Sequence, residues 1–478
     1  MSEIRIETLG CRLNQIESES VARIFSEKGY SVSMEALTAS SAADSDTLIS
    51  IINTCTVTQK AEQKARRLIR LMLKKFPDAA IIVTGCYAQL AKEEIKKIDS
   101  RICVIGGQIK SRIEKIPELL SETKNSSSWN PVSFVEKINN TIISLPPQKP
   151  GFPENSFKLS ATSFISHSRA SLKIQDGCNN NCAFCAIHIA RGHSVSLDVQ
   201  TAIDRVRELE EKGHDEVVLT TVNIGQYKGS YKDGWCNFSE LLLLLLTNTS
   251  RIRFRISSLY PDIVDEKFCR VISDDRVQPH FHISVQSGSD KVLALMNRPY
   301  NAQSIVKACT MLKKAKKNPF LACDIITGFP GETDDDFDQT MKLCNECGFA
   351  WVHAFPYSER PGTDAAVMKN KVAQSVSGER AKRLTEWAVS QKIKYVESFI
   401  NTEHDAVLET VRKPLALAAG NNKTSRFIYH AVTDNFIHCE IVSDKQIETN
   451  KSMNIRITGV LSERIKKGGD IEASAEFV

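Results

Sequence analysis

Residues 176–185 read DGCNNNCAFC and set Cys178, Cys182 and Cys185 in the spacing CxxxCxxC. Thiolates at that spacing bind metal. Structural zinc takes four ligands, commonly as two paired knuckles. No second knuckle follows close by, the next CxxC being Cys344 and Cys347 far along the chain, and His188 and His193 fit no standard zinc spacing. Three thiolates on a 4Fe-4S cluster instead leave one iron open to a small molecule, and such a centre is reactive.

Three more cysteines lie far apart: Cys11 in ETLGCRLN, Cys55 in INTCTVT and Cys86 in VTGCYAQ. Each directly follows a predicted strand and precedes a helix. All strand C-termini of a parallel sheet open on one edge, so these thiols can converge there. The following helix N-termini offer N–H groups and positive dipole ends to an anionic cluster. Spacing alone leaves both a second metal site and plain structural cysteines open. For Cys103, Cys236, Cys269, Cys309, Cys323, Cys344, Cys347 and Cys439 burial is the expectation.

The elements that must position these residues are α/β throughout. Strand and helix patterns alternate over the first ~120 residues: strands at 4–9, 48–53 and 81–84, helices at 16–28, 58–75 and 89–97. No GxGxxG or GxxxxGK[ST] phosphate loop is present. Residues 121–163 turn rich in Ser, Asn and Pro and read as a linker. A second series spans 164–400, with strands at 171–174, 216–220, 252–256, 281–285, 321–326 and 350–355. Six βα units predict a parallel barrel or open sheet, with active residues at the strand C-termini. The acidic run 332–336 reads as a capping box between Thr333 and Asp336. Residues 401–478 turn short-stranded, the pattern of a small β-barrel.

Composition sets the class. The chain has 478 residues, 42% hydrophobic and 25% charged, with net charge +5. That is ordinary for a globular protein with real cores, and the weak basicity is compatible with nucleic acid without arguing for it. No signal-peptide pattern opens the chain, and the longest apolar run, 241–246, is far too short to cross a bilayer. The expectation is a cytoplasmic protein.

The motifs also carry a resemblance. TLGCRLNQIES, INTCTVTQKAEQKARRLIR, VTGCYAQ, DGCNNNCAFC, ARG, HISVQSGSDKVLALMNRPY and DIITGFPGET with FPYSERPGT occur in this order. Their sequence resembles the radical S-adenosylmethionine methylthiotransferases over nearly the whole chain. The opening is most similar to the branch acting on threonylcarbamoyladenosine in tRNA. The resemblance implies an N-terminal methylthiotransferase domain (1–120), a radical core with a partial (βα)6 barrel (164–400) and a C-terminal TRAM domain like an OB barrel (401–478). It implies two 4Fe-4S clusters, one on Cys178, Cys182 and Cys185 that cleaves S-adenosylmethionine, and an auxiliary one on Cys11, Cys55 and Cys86 that carries sulfur. Phe184, before the last cysteine, belongs to the same pattern. The implied reaction replaces hydrogen at carbon 2 of the adenine ring with a methylthio group. That C–H bond is not acidic, so no side-chain base removes its proton and a cofactor must carry the step. Expected partners are tRNA and an external one-electron reductant, with no membrane and a monomeric chain.

Asn223, Gln226, Gln286, Ser287, Gly328 and Gly331 follow barrel strands. Asn223, Gln286 and Ser287 are candidates to line a cofactor pocket, with turn formation as the plainer role for each. Lys60, Lys64, Arg67, Arg70 and Lys74 share one face of the helix after Cys55 and could meet phosphates. Two departures stand out. From residue 401 onward there are ten basic and eleven acidic residues, so that domain is no cationic grip. ARGHSVS has His193 where the family tends to have a basic residue. Alternatives are a methylthiotransferase for isopentenyladenosine or a ribosomal protein, a non-enzymatic iron–sulfur RNA sensor, and a zinc-binding RNA chaperone.

Overall fold

The computed structural model describes residues 3–126, 128–159, 169–409, 427–449 and 451–478. The end of the linker expected at 163 and the start of the core expected at 164 lie outside them.

The first sheet is five-stranded and parallel. Its order is β2 (Val32–Ser33), β1 (Ile4–Thr8), β3 (Ile49–Thr54), β4 (Ala80–Gly85), β5 (Ile102–Gly106). Every residue of β3 and β4 is buried, as mainly apolar strands covered on both faces must be. Helix α1 (Arg12–Glu27) follows β1, α2 (Gln59–Lys75) follows β3, and the short α3 (Cys86–Leu90) follows β4. Within the stretch read as a linker, α4 (Pro131–Ile138) starts behind the Asn130 cap. It buries Phe134, Val135 and Ile138 in the core of this sheet.

Six parallel strands build the second unit: β6 (Ala170–Lys173), β7 (Glu216–Thr220), β8 (Arg253–Ile256), β9 (His280–Gln286), β10 (Phe320–Thr327) and β11 (Trp351–Pro356). The first three pair in the order β8-β7-β6 and the last three as β9-β10-β11. Single parallel bridges, Phe254 to Val277 and Leu259 to Ile283, connect the two sets beside β8 and β9. The expected partial barrel is therefore present. Helices cover its outside. One is α5 (Phe238–Asn248), which opens with a capping box between Asn237 and Glu240 and buries Leu241, Leu242, Leu245 and Leu246. Another is α6 (Asp334–Cys347), whose start is the Thr333–Asp336 capping box. The acidic run therefore caps a helix.

Helix α7 (Gln374–Glu397) leads to five strands, β12 (Glu403–Leu408), β13 (Phe427–Thr433), β14 (His438–Ser443), β15 (Ser452–Val460) and β16 (Ala473–Phe477). They close as a barrel in the order β12-β13-β14-β16-β15. It docks on the second unit at β8. Arg255 Nη1 and Nη2 donate to the carbonyls of Asp434 and Thr433, and Arg253 pairs with Asp405 at 2.7 Å.

Candidate functional site

β1, β3 and β4 are neighbours in the first sheet, and each delivers a cysteine where it ends. Cys11 caps α1, Cys55 directly follows β3, and Cys86 directly follows β4. The approach is tight. Gly10 sits at φ +103, and a Cβ there would lie 2.5 Å from Cys55 Cβ and 2.9 Å from its Sγ. Only glycine accepts both that backbone and that contact.

The CxxxCxxC loop follows β6. Gly177, at φ +69, would drive a Cβ to 2.1 Å from the His193 carbonyl oxygen. The Cys178, Cys182 and Cys185 sulfurs are addressed by donors. Backbone N–H groups of Asn180 and Ile187 reach Cys178 Sγ and Cys185 Sγ at 3.4 Å each, and Asn223 Nδ2 lies 3.9 Å from Cys178 Sγ. Arg298 Nη1 donates to Cys182 Sγ at 3.2 Å and to the Tyr260 hydroxyl at 2.8 Å. Its guanidinium lies over the Tyr260 and Tyr300 rings, 4.6 and 5.1 Å from their centroids.

Five of the six cysteines, Cys11, Cys55, Cys86, Cys182 and Cys185, line one cavity of about 650 Å³ between the two units. That volume suits a nucleoside-sized ligand with room for a cofactor. Phe184 and Gln286 line it too. Phe184 lies edge-on to Phe329, and Gln286 takes the left-handed conformation at φ +70. Asn223 and Ser287 do not line it. Asn223 holds the cysteine loop, and its backbone N–H is fixed by Gln175 Oε1 at 3.0 Å. Ser287 is fully buried and its hydroxyl is engaged by Thr340 and the Ser289 N–H. Gln226 braces the loop through the backbone N–H of Asn179 and the Asn180 amide. Gly328 and Gly331 make turns at positive φ. His193 packs against Phe152 with tilted rings 4.8 Å apart and meets Asn179 Oδ1 through Nδ1 at 3.1 Å, a packing role at the seam.

Both triads suit iron–sulfur clusters. Burial pushes the Cys55 thiol up to about 11 and the Cys185 thiol up to about 12. Such thiols ionise only where a nearby cation offsets the lost solvation, which a bound metal does. Donors aimed at sulfur favour the same charged form. Among the described residues no three Cys, His, Asp or Glu side chains gather around a single ion position. A polynuclear core spreads its thiolates wider than one ion does.

Buried charges clamp the seam behind the cysteines. Glu17 of α1 meets Lys110, Lys173 at 3.0 Å and Arg191 at 3.1 Å, while Asp176 meets Lys173 at 2.5 Å and Arg191 at 2.9 Å. Arg191 Nη2 also donates to Asn14 Oδ1 at 2.8 Å. Arg360 adds a second clamp near Cys55, to Glu62 at 2.6 Å and to the Thr56 carbonyl at 3.3 Å. Sequence reasoning did not single out Arg191, Arg298, Glu17 or Arg360 individually. A signal was there: each lies inside one of the quoted motifs, although only the motif holding Glu17 also contains a cysteine.

Residues 172–344 match the radical SAM superfamily, and residues 3–107 match the uncharacterized protein family UPF0004. The threonylcarbamoyladenosine tRNA methylthiotransferase MtaB of Treponema pallidum is 38% identical over 497 aligned positions, covering 96% of this chain and 98% of that protein. The chain belongs to the MtaB family of radical-SAM methylthiotransferases. The resemblance read from the motifs is borne out. The Bacillus subtilis MtaB is 35% identical, with 86% and 85% coverage. The tRNA-2-methylthio-N(6)-dimethylallyladenosine synthase of Anaplasma phagocytophilum is 31% identical, with 82% and 83% coverage. The solved radical S-adenosylmethionine methyltransferase TsrM of Kitasatospora setae superposes with TM-score 0.53 at 12% identity over 77% of each chain, a likeness of fold alone. As a member of this family, the protein is a radical-SAM methylthiotransferase. Among the described residues no helix is long and apolar enough to cross a membrane.

Proposed function

We propose that this enzyme places a methylthio group on carbon 2 of threonylcarbamoyladenosine beside the tRNA anticodon. Cys178, Cys182 and Cys185 would hold one 4Fe-4S cluster, which S-adenosylmethionine joins. Cys11, Cys55 and Cys86 would hold the auxiliary cluster. When bound, these groups supply one-electron cleavage of S-adenosylmethionine and the sulfur to be transferred. The observation that carries this reading is the shared cavity lined by cysteines of both sets.

The chain's own residues position and shield. Arg298 orients the Cys182 sulfur and places a positive charge beside it. Gln226 and Asn223 fix the cysteine loop. The Glu17–Arg191 clamp holds the two cysteine-bearing units in register, since small misplacements of reacting atoms are costly. Phe184 and Val57 help wall the cavity with apolar surface. In the same reading residues 1–120 are the sulfur-delivering domain, 164–400 the radical core and 401–478 a tRNA-holding barrel, with 121–163 between the first two. An external reductant supplies the electron, and the protein acts as a monomer.

Nucleoside mass spectrometry of tRNA from cells with and without the gene tests the reading. Loss of 2-methylthio-threonylcarbamoyladenosine on deletion supports it, and persistence of that nucleoside with loss of the isopentenyl counterpart overturns it.

A further inference from the structure

Away from the sulfurs the cavity is cationic. Arg12, Arg191, Arg255 and Arg298 line it against one carboxylate, Asp324. Three of these arginines are committed. Arg191 is paired with Glu17 and Asp176. Arg255 grips Glu216 with Nε and Nη2, each at 2.8 Å, and gives its other donors to the carbonyls of Thr433 and Asp434. Arg298 serves Cys182, Tyr260 and the Ser284 carbonyl. Asp324 faces His282 at 3.1 Å.

Arg12 is not committed. Its Nη1 donates to Ser171 Oγ at 3.2 Å, and among the described residues its side chain has no ion pair and no other hydrogen bond. Arg169 and Arg255 are near enough to repel it. The acids in range are taken, Glu216 by Arg255 and Glu409 by Arg169 at 3.5 Å. A guanidinium held in a cavity among other cations, with donors to spare, fits a two-oxygen anion.

We propose that Arg12 binds the carboxylate of the amino-acid substituent on the target adenosine. The inference rests on the reading above and deepens it. A threonylcarbamoyl group ends in a carboxylate, whereas a dimethylallyl group carries no charge. In the same reading S-adenosylmethionine would be held by the cluster on Cys178, Cys182 and Cys185 and so would not compete for Arg12. Thr220, Thr221, Ser257 and Ser258 line the same cavity and offer hydroxyls to the carbamoyl and hydroxyl groups beside that carboxylate. Arg12 is then a specificity residue, one position after Cys11, that reads the modification already on the base.

The test uses the full chain with its clusters reconstituted and two anticodon stem-loop RNAs. One carries threonylcarbamoyladenosine and the other its threonine methyl ester. Wild type should prefer the free acid by about 10- to 100-fold in kcat/KM, the range of a charge-assisted contact. Arg12→Gln should remove most of that preference, with a much smaller fall on the ester and with iron content and S-adenosylmethionine cleavage retained. Arg12→Lys should keep part of the preference. Where Arg12→Gln does not fold, the wild-type ratio and Arg12→Lys still decide. Equal wild-type rates on acid and ester overturn the proposal. So does an equal loss on both RNAs, which marks a phosphate contact, or a loss of iron, which marks a cluster support. Failure of wild type to thiolate the acid stem-loop at all instead overturns the functional reading on which the proposal rests.

Discussion

Arg191 Nη1 lies 3.1 Å from Glu17 Oε1, a buried ion pair between residues 174 positions apart that ties the first sheet domain to the radical core. Burial by itself would raise the Glu17 carboxyl, but Arg191, Lys110 and Lys173 hold it well below the usual range. Removing the Glu17 charge leaves Lys110 without a carboxylate and Lys173 and Arg191 sharing Asp176 alone, at a cost of about 3–5 kcal/mol. Glu17→Gln should therefore lower the denaturation midpoint by that amount. It should also reduce thiolation more than S-adenosylmethionine cleavage, because it loosens the unit that carries Cys11. Chemical denaturation monitored by circular dichroism checks it, and an unchanged midpoint would count against the clamp.

The two thiol sets separate by substitution. Cys182→Ala should abolish S-adenosylmethionine cleavage, because in the proposed reading that sulfur, which Arg298 addresses, would be a ligand of the cluster that cleaves it. Cys55→Ala should leave some cleavage and stop thiolation, with about half the iron retained. Gly10→Ala should mimic Cys55→Ala, since its Cβ would occupy the space of the Cys55 side chain. Iron analysis beside deoxyadenosine and methylthio-nucleoside yields distinguishes the cases. Unimpaired thiolation by Cys55→Ala would remove the auxiliary cluster from the mechanism.

Much of this was legible along the chain, and the reason differs by element. Mainly apolar runs such as 49–52, interrupted by Ser50, and 80–83 read as buried parallel strands because both faces of such strands are covered. The Thr333–Asp336 cap was legible because its two partners are three residues apart. Residues 131–138 were not, since their setting is rich in Ser, Asn and Pro. Their helix is decided by the burial of Phe134 and Val135 against a distant sheet. The cysteines announced themselves by residue type and by their place after strands. The arginines did not, because a guanidinium's partner is settled only when the chain has folded. Nothing local pairs Arg191 with Glu17 or leaves Arg12 without a carboxylate. Ser287 followed a strand as expected, yet its hydroxyl turns into the packing under α6.

Acid stability should report on the join between the two barrels. Burial pushes the Glu216 carboxyl up, but Arg255, helped by Arg169 and Gln278, more than offsets this and holds it at about 2. A carboxyl held below its unfolded value contributes stability above that value, near 4.5, and loses it as the pH falls toward 2. The contribution is on the order of 3 kcal/mol. The difference in unfolding free energy between wild type and Glu216→Gln should thus be full at pH 7 and shrink below about 4. A difference that stays constant from pH 7 to pH 3 would sink the assignment. Because Arg255 also donates to Thr433 and Asp434, Glu216→Gln should expose the C-terminal barrel to proteolysis before the radical core.

The helix after Cys55 should govern tRNA affinity. Lys60, Lys64, Arg67, Arg70 and Lys74 are all exposed, and among the described residues none of them takes part in an ion pair. The helix also begins within a few residues of a cavity cysteine, so RNA lying on this face could reach the site. Phosphate contacts weaken binding evenly across sequences and release counterions, with a salt slope of about one per contact. Lys64→Glu with Arg67→Glu should therefore raise the tRNA Kd roughly tenfold or more at low salt. The slope of log Kd against log salt should flatten by about two, while the midpoint of unfolding stays within about 0.5 kcal/mol of wild type. Deoxyadenosine formation without tRNA should not change. Fluorescence anisotropy across a salt series reads the slope, and a variant that binds tRNA as wild type does at every salt concentration would move the RNA path to another face.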